Sequence, residues 1–387
     1  MYKFIPGLLL VFLSMSVNIE AQEGGKVILK NVPRNSFWQA GMFSCLTSCF
    51  NANGEDISPV IVRGLWKKLF LFTYNADDGG GAHDWTLFPD YTTACEVCST
   101  LGYSYGYEKD LKWSEAWKLI KKSIDESNPV ITTWEPPDIH YPWFVLIVGY
   151  DEEKLYLHCY KGAFYEYPID KFKTGWEKGK DEQPWLCAIF VPGEKEQEVD
   201  LKELFMESLK RAVETMNKKE VTFPKVKGKF REGTFRCGFK AYEELIDYLD
   251  EDRDYSELDV DSLKKIGAWG ACHEASCEDA KRHFIADYLL YIASEFEGDK
   301  RRHIERAAEL YHGVECLYDN LLIIHPATTP WGRQGYNHLP SLASEDETLR
   351  EEAVKNFARD MKEAAKIVRK IYDSEKKAIE EFEKVIE

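Results

Sequence analysis

Two stretches hold residues able to do thiol chemistry. Residues 39–49 read QAGMFSCLTSC, with Gln39 six positions before Cys45 and a further thiol at Cys49. Residues 138–160 read DIHYPWFVLIVGYDEEKLYLHCY: an apolar run, a Gly-Tyr-Asp turn and a second apolar run, flanked by Asp138, His140, His158 and Cys159. A thiol attacks as thiolate, so it needs a setting that lowers its pKa, such as a helix N-terminus, and a histidine to hold the proton. A carboxylate or amide then orients the imidazole, and a side-chain amide helps bind the oxyanion. The chemistry within reach of these residue types is attack on an amide or thioester.

Other candidates read more plainly. Of the ten cysteines, Cys45-x3-Cys49 and Cys95-x2-Cys98 are the tightest groups. Both fall in helical pattern and lack the spacings of a strong zinc signature, so they read as buried free thiols and no metal is assigned. Glu309-x-x-His312 is half of a carboxylate-bridged di-iron pattern whose second half is absent; His303, His312 and Glu315 therefore read as solvent-facing or locally paired. FRCGFKAYEEL (235–245) places Cys237-Gly238 at the head of a helix, read as a capping glycine beside a core cysteine. DDGGGAHDW (77–85) is either a lid over a cleft or a surface loop, and its aspartates lack calcium-loop spacing. The basic run KKEVTFPKVKGKFR (218–231) reads as packing on an acidic face or as a solvated connector. No cofactor is expected.

The elements that would carry these residues change character along the chain. Residues 41–53 form a helical stretch stopped by Asn53-Gly54, and 58–74 a helix or a helix followed by a strand. A third helix opens near Pro89 and closes at Gly102, and a fourth opens on Ser114 as N-cap. Strands follow at Val130–Trp134, Trp143–Gly149, Lys154–Tyr160, Ala163–Tyr167 and Trp185–Val191. Helices first and an antiparallel sheet afterwards predict an α+β domain. After VPGEKEQEVDLKE, with a boundary near Lys195, the pattern is helical: Leu201–Met216, Ala241–Leu249, Glu278–Glu297, Lys300–Leu322 and Asp346–Ile386. In the last, Leu349, Ala353, Phe357, Met361, Ala365, Val368, Tyr372, Ile379, Phe382 and Ile386 make one apolar stripe. The expected layout is a leader at 1–21, an α+β domain at 26–194 and an all-α domain at 200–387.

The leader is expected from MYKFIPGLLLVFLSMSVNIEA, with one early lysine, an apolar run from Phe4 to Val17 and a small residue at Ala21. That is the pattern of a secretory signal peptide, shorter than the roughly 20 apolar residues of a span. Export is therefore expected, with no transmembrane span in the mature chain. The net charge of −17 argues against nucleic acid as a partner.

The order of helix, glycine, a helix before NPVITTW and then the FVLIVGYD hairpin resembles the papain-like fold of the double-glycine leader peptidases. It is also similar to the N-terminal domain of the butirosin biosynthesis protein H family, in which a papain-like module precedes a helical region. The resemblance covers residues 30–192 and, loosely, the two-domain layout. It implies a histidine just before the apolar strand and an Asp-Pro pair closing the next strand. Counting six back from Gly149 gives Trp143, and the Asp-Pro pair falls on Cys159-Tyr160.

For the nucleophile, the resemblance allows two registers. GMFSCLTSCFNANGEDIS fits without gaps if Gly41 takes the place of the cysteine, which removes the nucleophile. Alternatively Gln39 and Cys45 keep the separation of oxyanion glutamine and nucleophile, at the cost of a shorter helix before Gly54. We favour the first, because it preserves the helix and agrees with Trp143 and Cys159. The leading expectation is a catalytically degenerate thiol hydrolase or acyltransferase domain that binds a peptide or an acylated small molecule. One alternative is an active cysteine hydrolase or acyltransferase, with Cys45 as nucleophile, His140 as base, Gln39 at the oxyanion, and Asp138 or His158 orienting the imidazole. The other is an interaction protein using its helical domain. The oligomeric state is left open.

Overall fold

The computed structural model describes residues 19–22, 25–34, 41–74, 91–134, 143–158, 163–182, 187–223, 233–256, 258–259, 262, 282–324, 341 and 344–387. In chain order these form β1 (Ile19–Gln22), β2 (Lys26–Leu29), α1 (Gly41–Ala52), α2 (Pro59–Gly64), β3 (Thr73–Tyr74), α3 (Tyr91–Thr100), β4 (Tyr103–Lys109), α4 (Trp113–Asp125), β5 (Val130–Trp134), β6 (Trp143–Tyr150), β7 (Lys154–His158), β8 (Phe164–Pro168), α5 (Ile169–Glu182) and β9 (Ala188–Lys195). Then follow α6 (Leu201–Asn217), β10 (Glu220–Phe223), β11 (Gly233–Cys237), α7 (Gly238–Asp250), α8 (Arg282–Ala293), α9 (Gly298–Ile324) and α10 (Glu347–Ile386). The protein is mixed α+β, with an antiparallel sheet and a helical C-terminal region. No helix among the described residues is long and apolar enough to cross a membrane.

The sheet is built around β6. Its FVLIV run is apolar on both faces, as a strand covered on both sides must be, and Val145 to Val148 are all buried. One edge of β6 pairs with β5 from Trp143 to Ile147 and then with β2 at Gly149 and Tyr150; β7 also pairs with β6, and β8 extends it. β9 and β4 continue beyond β5. Gly149 is required by the approach of β2, because a Cβ there would overlap the Val27 carbonyl. Asp151 closes the β6–β7 turn by accepting from the Glu153 and Lys154 amides, both at 2.7 Å, and from the Tyr156 hydroxyl at 2.6 Å.

The helical region packs along α10, whose 40 residues follow the apolar stripe. Ala353, Phe357, Met361, Ala365, Val368, Ile379 and Phe382 are buried, whereas Leu349 at its start is 48% exposed. Asp346 caps the helix by accepting from the Thr348 and Leu349 amides at 3.0 and 3.3 Å.

Several elements differ from the sequence expectation. The C-terminal region is not all-α: β10, β11 and β3 make a second, three-stranded sheet. β1, β2, β4 and α5 are additional elements, and β1 spans the end of the expected leader. The N-cap of α4 is Lys112, not Ser114; the Lys112 amide donates to Glu115 Oε2 at 2.9 Å.

β9 ends at Lys195, and helices dominate after it, yet one core runs through both parts. The stretch 59–74 carries it across. Arg63 is fully buried, its guanidinium 3.6 Å from the Phe284 ring centroid and 5.9 Å from that of Phe43. Gly64 lies against the Tyr288 ring, where a Cβ would overlap it. Phe70 meets Phe382 edge-on at 5.8 Å, and Phe72 stacks on Tyr242 at 4.0 Å. The Gly238 amide donates to the Phe72 carbonyl at 2.9 Å, and β3 pairs with β11.

Candidate functional site

The head of α1 meets β6 on one face of the sheet. α1 begins at Gly41, and a Cβ on this residue would stand 2.9 Å from the Phe144 carbonyl oxygen and 3.2 Å from the Phe144 Cβ. The helix head therefore rests on strand backbone, and any side chain at its first position forces β6 or α1 to move. Thr133 lies directly opposite Phe144 on β5, and His158 on β7 lies opposite Leu146, which shares the face of Phe144 two residues on. Phe164 on β8 is the residue opposite His158. Thr133, Phe144, Leu146, His158 and Phe164 thus make a row on the face that receives α1.

The environment of this row is apolar and holds its polar groups neutral. Tyr91, the first residue of α3, meets Phe144 edge-on at 5.3 Å, and its hydroxyl donates to the Ala188 carbonyl at 3.1 Å. Burial pushes the Tyr91 phenol well above its usual range. Thr132 donates to the same carbonyl at 2.9 Å. His158 is pushed down to about 4, first by burial and then by the nearby Arg34 charge, against a backbone hydrogen bond to Pro33.

Cys45 lies one turn inside α1 and is 5% exposed. Gly41, Cys45 and Cys49 succeed each other at four-residue spacing on one face of the helix. Cys49 and Cys98 are buried, and the Cys49 thiol is pushed up by burial and then by the neighbouring thiols of Cys45 and Cys98. Burial also raises Cys98, with Cys95 adding to it. Such thiols are inert rather than nucleophilic. Among the described residues no three His, Cys, Asp or Glu side chains are grouped to hold a metal ion.

Trp143 is the first residue of β6, paired with Trp134. Gln39, Asp138, His140 and Cys159 lie outside the described residues, as do the stretch 77–85 and most of the basic run after Phe223. Cys237 is fully buried at the head of α7; its Sγ donates to the Lys218 carbonyl at 3.1 Å, and burial pushes it up to about 11. His312 pairs with Glu315 at 3.3 Å, and His303 Nδ1 meets Glu381 at 2.6 Å. Glu381 is 5% exposed and also holds Lys384 at 2.7 Å, so this cluster ties α9 to α10.

Sequence reasoning did not find Arg34 and Phe164. The Arg34 guanidinium lies over the Phe164 ring, 4.7 Å from its centroid, and His158 meets the same ring at 5.8 Å. The single available signal was the position of Phe164 opposite His158 in a predicted hairpin. No protein-family model and no curated protein matches the chain.

Proposed function

We propose that residues 26–194 form a papain-like domain that no longer performs thiol chemistry and instead binds a peptide or an acylated small molecule, in a protein that is exported. The observation that carries this reading is the seat of α1 on β6. A helix head directed at the start of a sheet strand is where such chemistry needs its thiolate, and the residue standing there is Gly41, without room for a side chain. The burial of Cys45, one turn deeper, supports the same conclusion.

The reading is tested by comparing the mature protein with Cys45→Ala on peptide amides, acyl esters and acyl thioesters. No Cys45-dependent turnover is expected, with an unchanged circular dichroism spectrum. Turnover that Cys45→Ala abolishes while the fold persists overturns the reading in favour of an active enzyme. Export is tested by the intact mass of protein recovered from outside the producing cell, expected to begin at Gln22; a retained Met1 contradicts it.

A further inference from the structure

The chain from β2 continues through Val32, which is buried in the core, to Pro33 and Arg34 beside the end of β7. Three groups meet there. The Arg34 guanidinium covers the Phe164 ring, His158 stands against the same ring with an interplanar angle of 63°, and the imidazole hydrogen-bonds the Pro33 backbone, which has only its carbonyl to offer. The His158 Nδ1 is buried and has no hydrogen-bond partner among the described residues.

We propose that His158 is an acid-released clasp that fastens the Pro33–Arg34 segment to the end of β7. A neutral imidazole has one N–H and one lone pair. The N–H serves the Pro33 carbonyl, and Nδ1 keeps a bare lone pair out of reach of water. Protonation places an N–H at Nδ1 with no acceptor, and a positive charge next to the Arg34 guanidinium on the same aromatic ring. Both penalties vanish when the ring leaves its place, so the protonated form favours the open clasp.

Among the described residues no carboxylate pairs with the His158 ring, since Glu166 is held by Lys154. The segment contributes Arg34, β8 contributes Phe164 and β6 contributes Leu146; two residues back along β7, Glu166 lies opposite Tyr156 and is held by Lys154, and Lys26 of β2 lies over the Tyr156 ring. The downward displacement of His158 has the matching sign. With a folded value near 4 below the ordinary value of about 6.5, closure is fully favoured above the ordinary value and is lost as pH falls toward the folded one. The clasp operates whether or not the adjoining face binds a ligand.

Amide hydrogen exchange read by mass spectrometry between pH 7 and pH 4, corrected for intrinsic rates, tests the clasp. Peptides covering residues 26–34 are expected to lose protection by about tenfold or more at pH 5, by linkage to the displaced histidine, while α10 peptides keep theirs. In His158→Gln the loss should vanish. In Arg34→Gln it should weaken, with the His158 ring titrating closer to its ordinary value by NMR. Equal loss of protection in α10, an unchanged pH response in His158→Gln, or a wild-type His158 titrating at its ordinary value each overturns the proposal.

Discussion

Two helices of this protein begin in the kind of place that a reactive cysteine occupies, and they fail to provide one for opposite reasons. The head of α1 is directed at the start of β6, but the residue there is Gly41, pressed on the Phe144 backbone. The head of α7 does carry a thiol, Cys237, immediately before its first helical residue. That thiol is sealed in a small cluster with Leu71 and Phe235 and donates a hydrogen bond to the Lys218 carbonyl. A helix dipole favours a thiolate by a few tenths to about 2 kcal/mol, and at Cys237 desolvation outweighs it, since the thiol stays above its ordinary value. Geometry without the residue and the residue without solvent are equally unreactive.

Both heads are held by elements that pack on the core joining the two parts, and cutting that core has the largest effect. Residues 1–195 alone lose the partners of Phe70, Phe72 and Tyr74, and should show no cooperative thermal transition by circular dichroism. A sharp, reversible melt of that fragment would mean that the two parts fold independently. Next in size is Gly238→Ala. Gly238 has φ +57, and a Cβ would overlap the Met216 carbonyl, so the backbone and packing penalties together should cost about 3 kcal/mol in denaturant unfolding.

Gly41→Cys asks the matching question at α1. Its backbone needs no special dihedral, so the close contact alone should cost about 1–2 kcal/mol, and the introduced thiol should label slowly. Wild-type stability combined with rapid labelling would show an open site at the helix head. The smallest effect is expected for Cys237→Ala, about 1 kcal/mol for a lost hydrogen bond. A much larger loss would give the α7 head a role beyond packing.

What the sequence made legible follows the strength of local pattern. β5 was placed to the residue and β6 to within one, because an apolar run ends in Gly-Tyr-Asp and Asp151 caps the turn by itself. α10 was legible from its stripe, except that Leu349 lies exposed at its start. β4 was overlooked because YSYGYEK is a half-exposed edge strand interrupted by Gly106, despite its alternating tyrosines. α5 offers only Ile169, Phe172 and Trp176 at helical spacing among lysines and glycines. The β10–β11 hairpin was hidden by the lysines around it.

At the candidate site, Gly41 at the first position of α1 was one of two registers considered. The contact of Arg34 with Phe164 and His158 could not be seen, since it joins residues far apart in sequence that meet only once β2, β7 and β8 are assembled. Packing of this kind leaves no local pattern to read.

The central claim, that the thiol nearest the α1 head is structural, is tested most directly by the pH dependence of alkylation at Cys45 in the folded, mature protein, read by peptide mass spectrometry. The account predicts labelling that is slow at every pH and becomes fast only on unfolding. Rapid labelling with an apparent pKa well below the free-thiol value of about 8.5 would contradict it and make Cys45 an activated nucleophile.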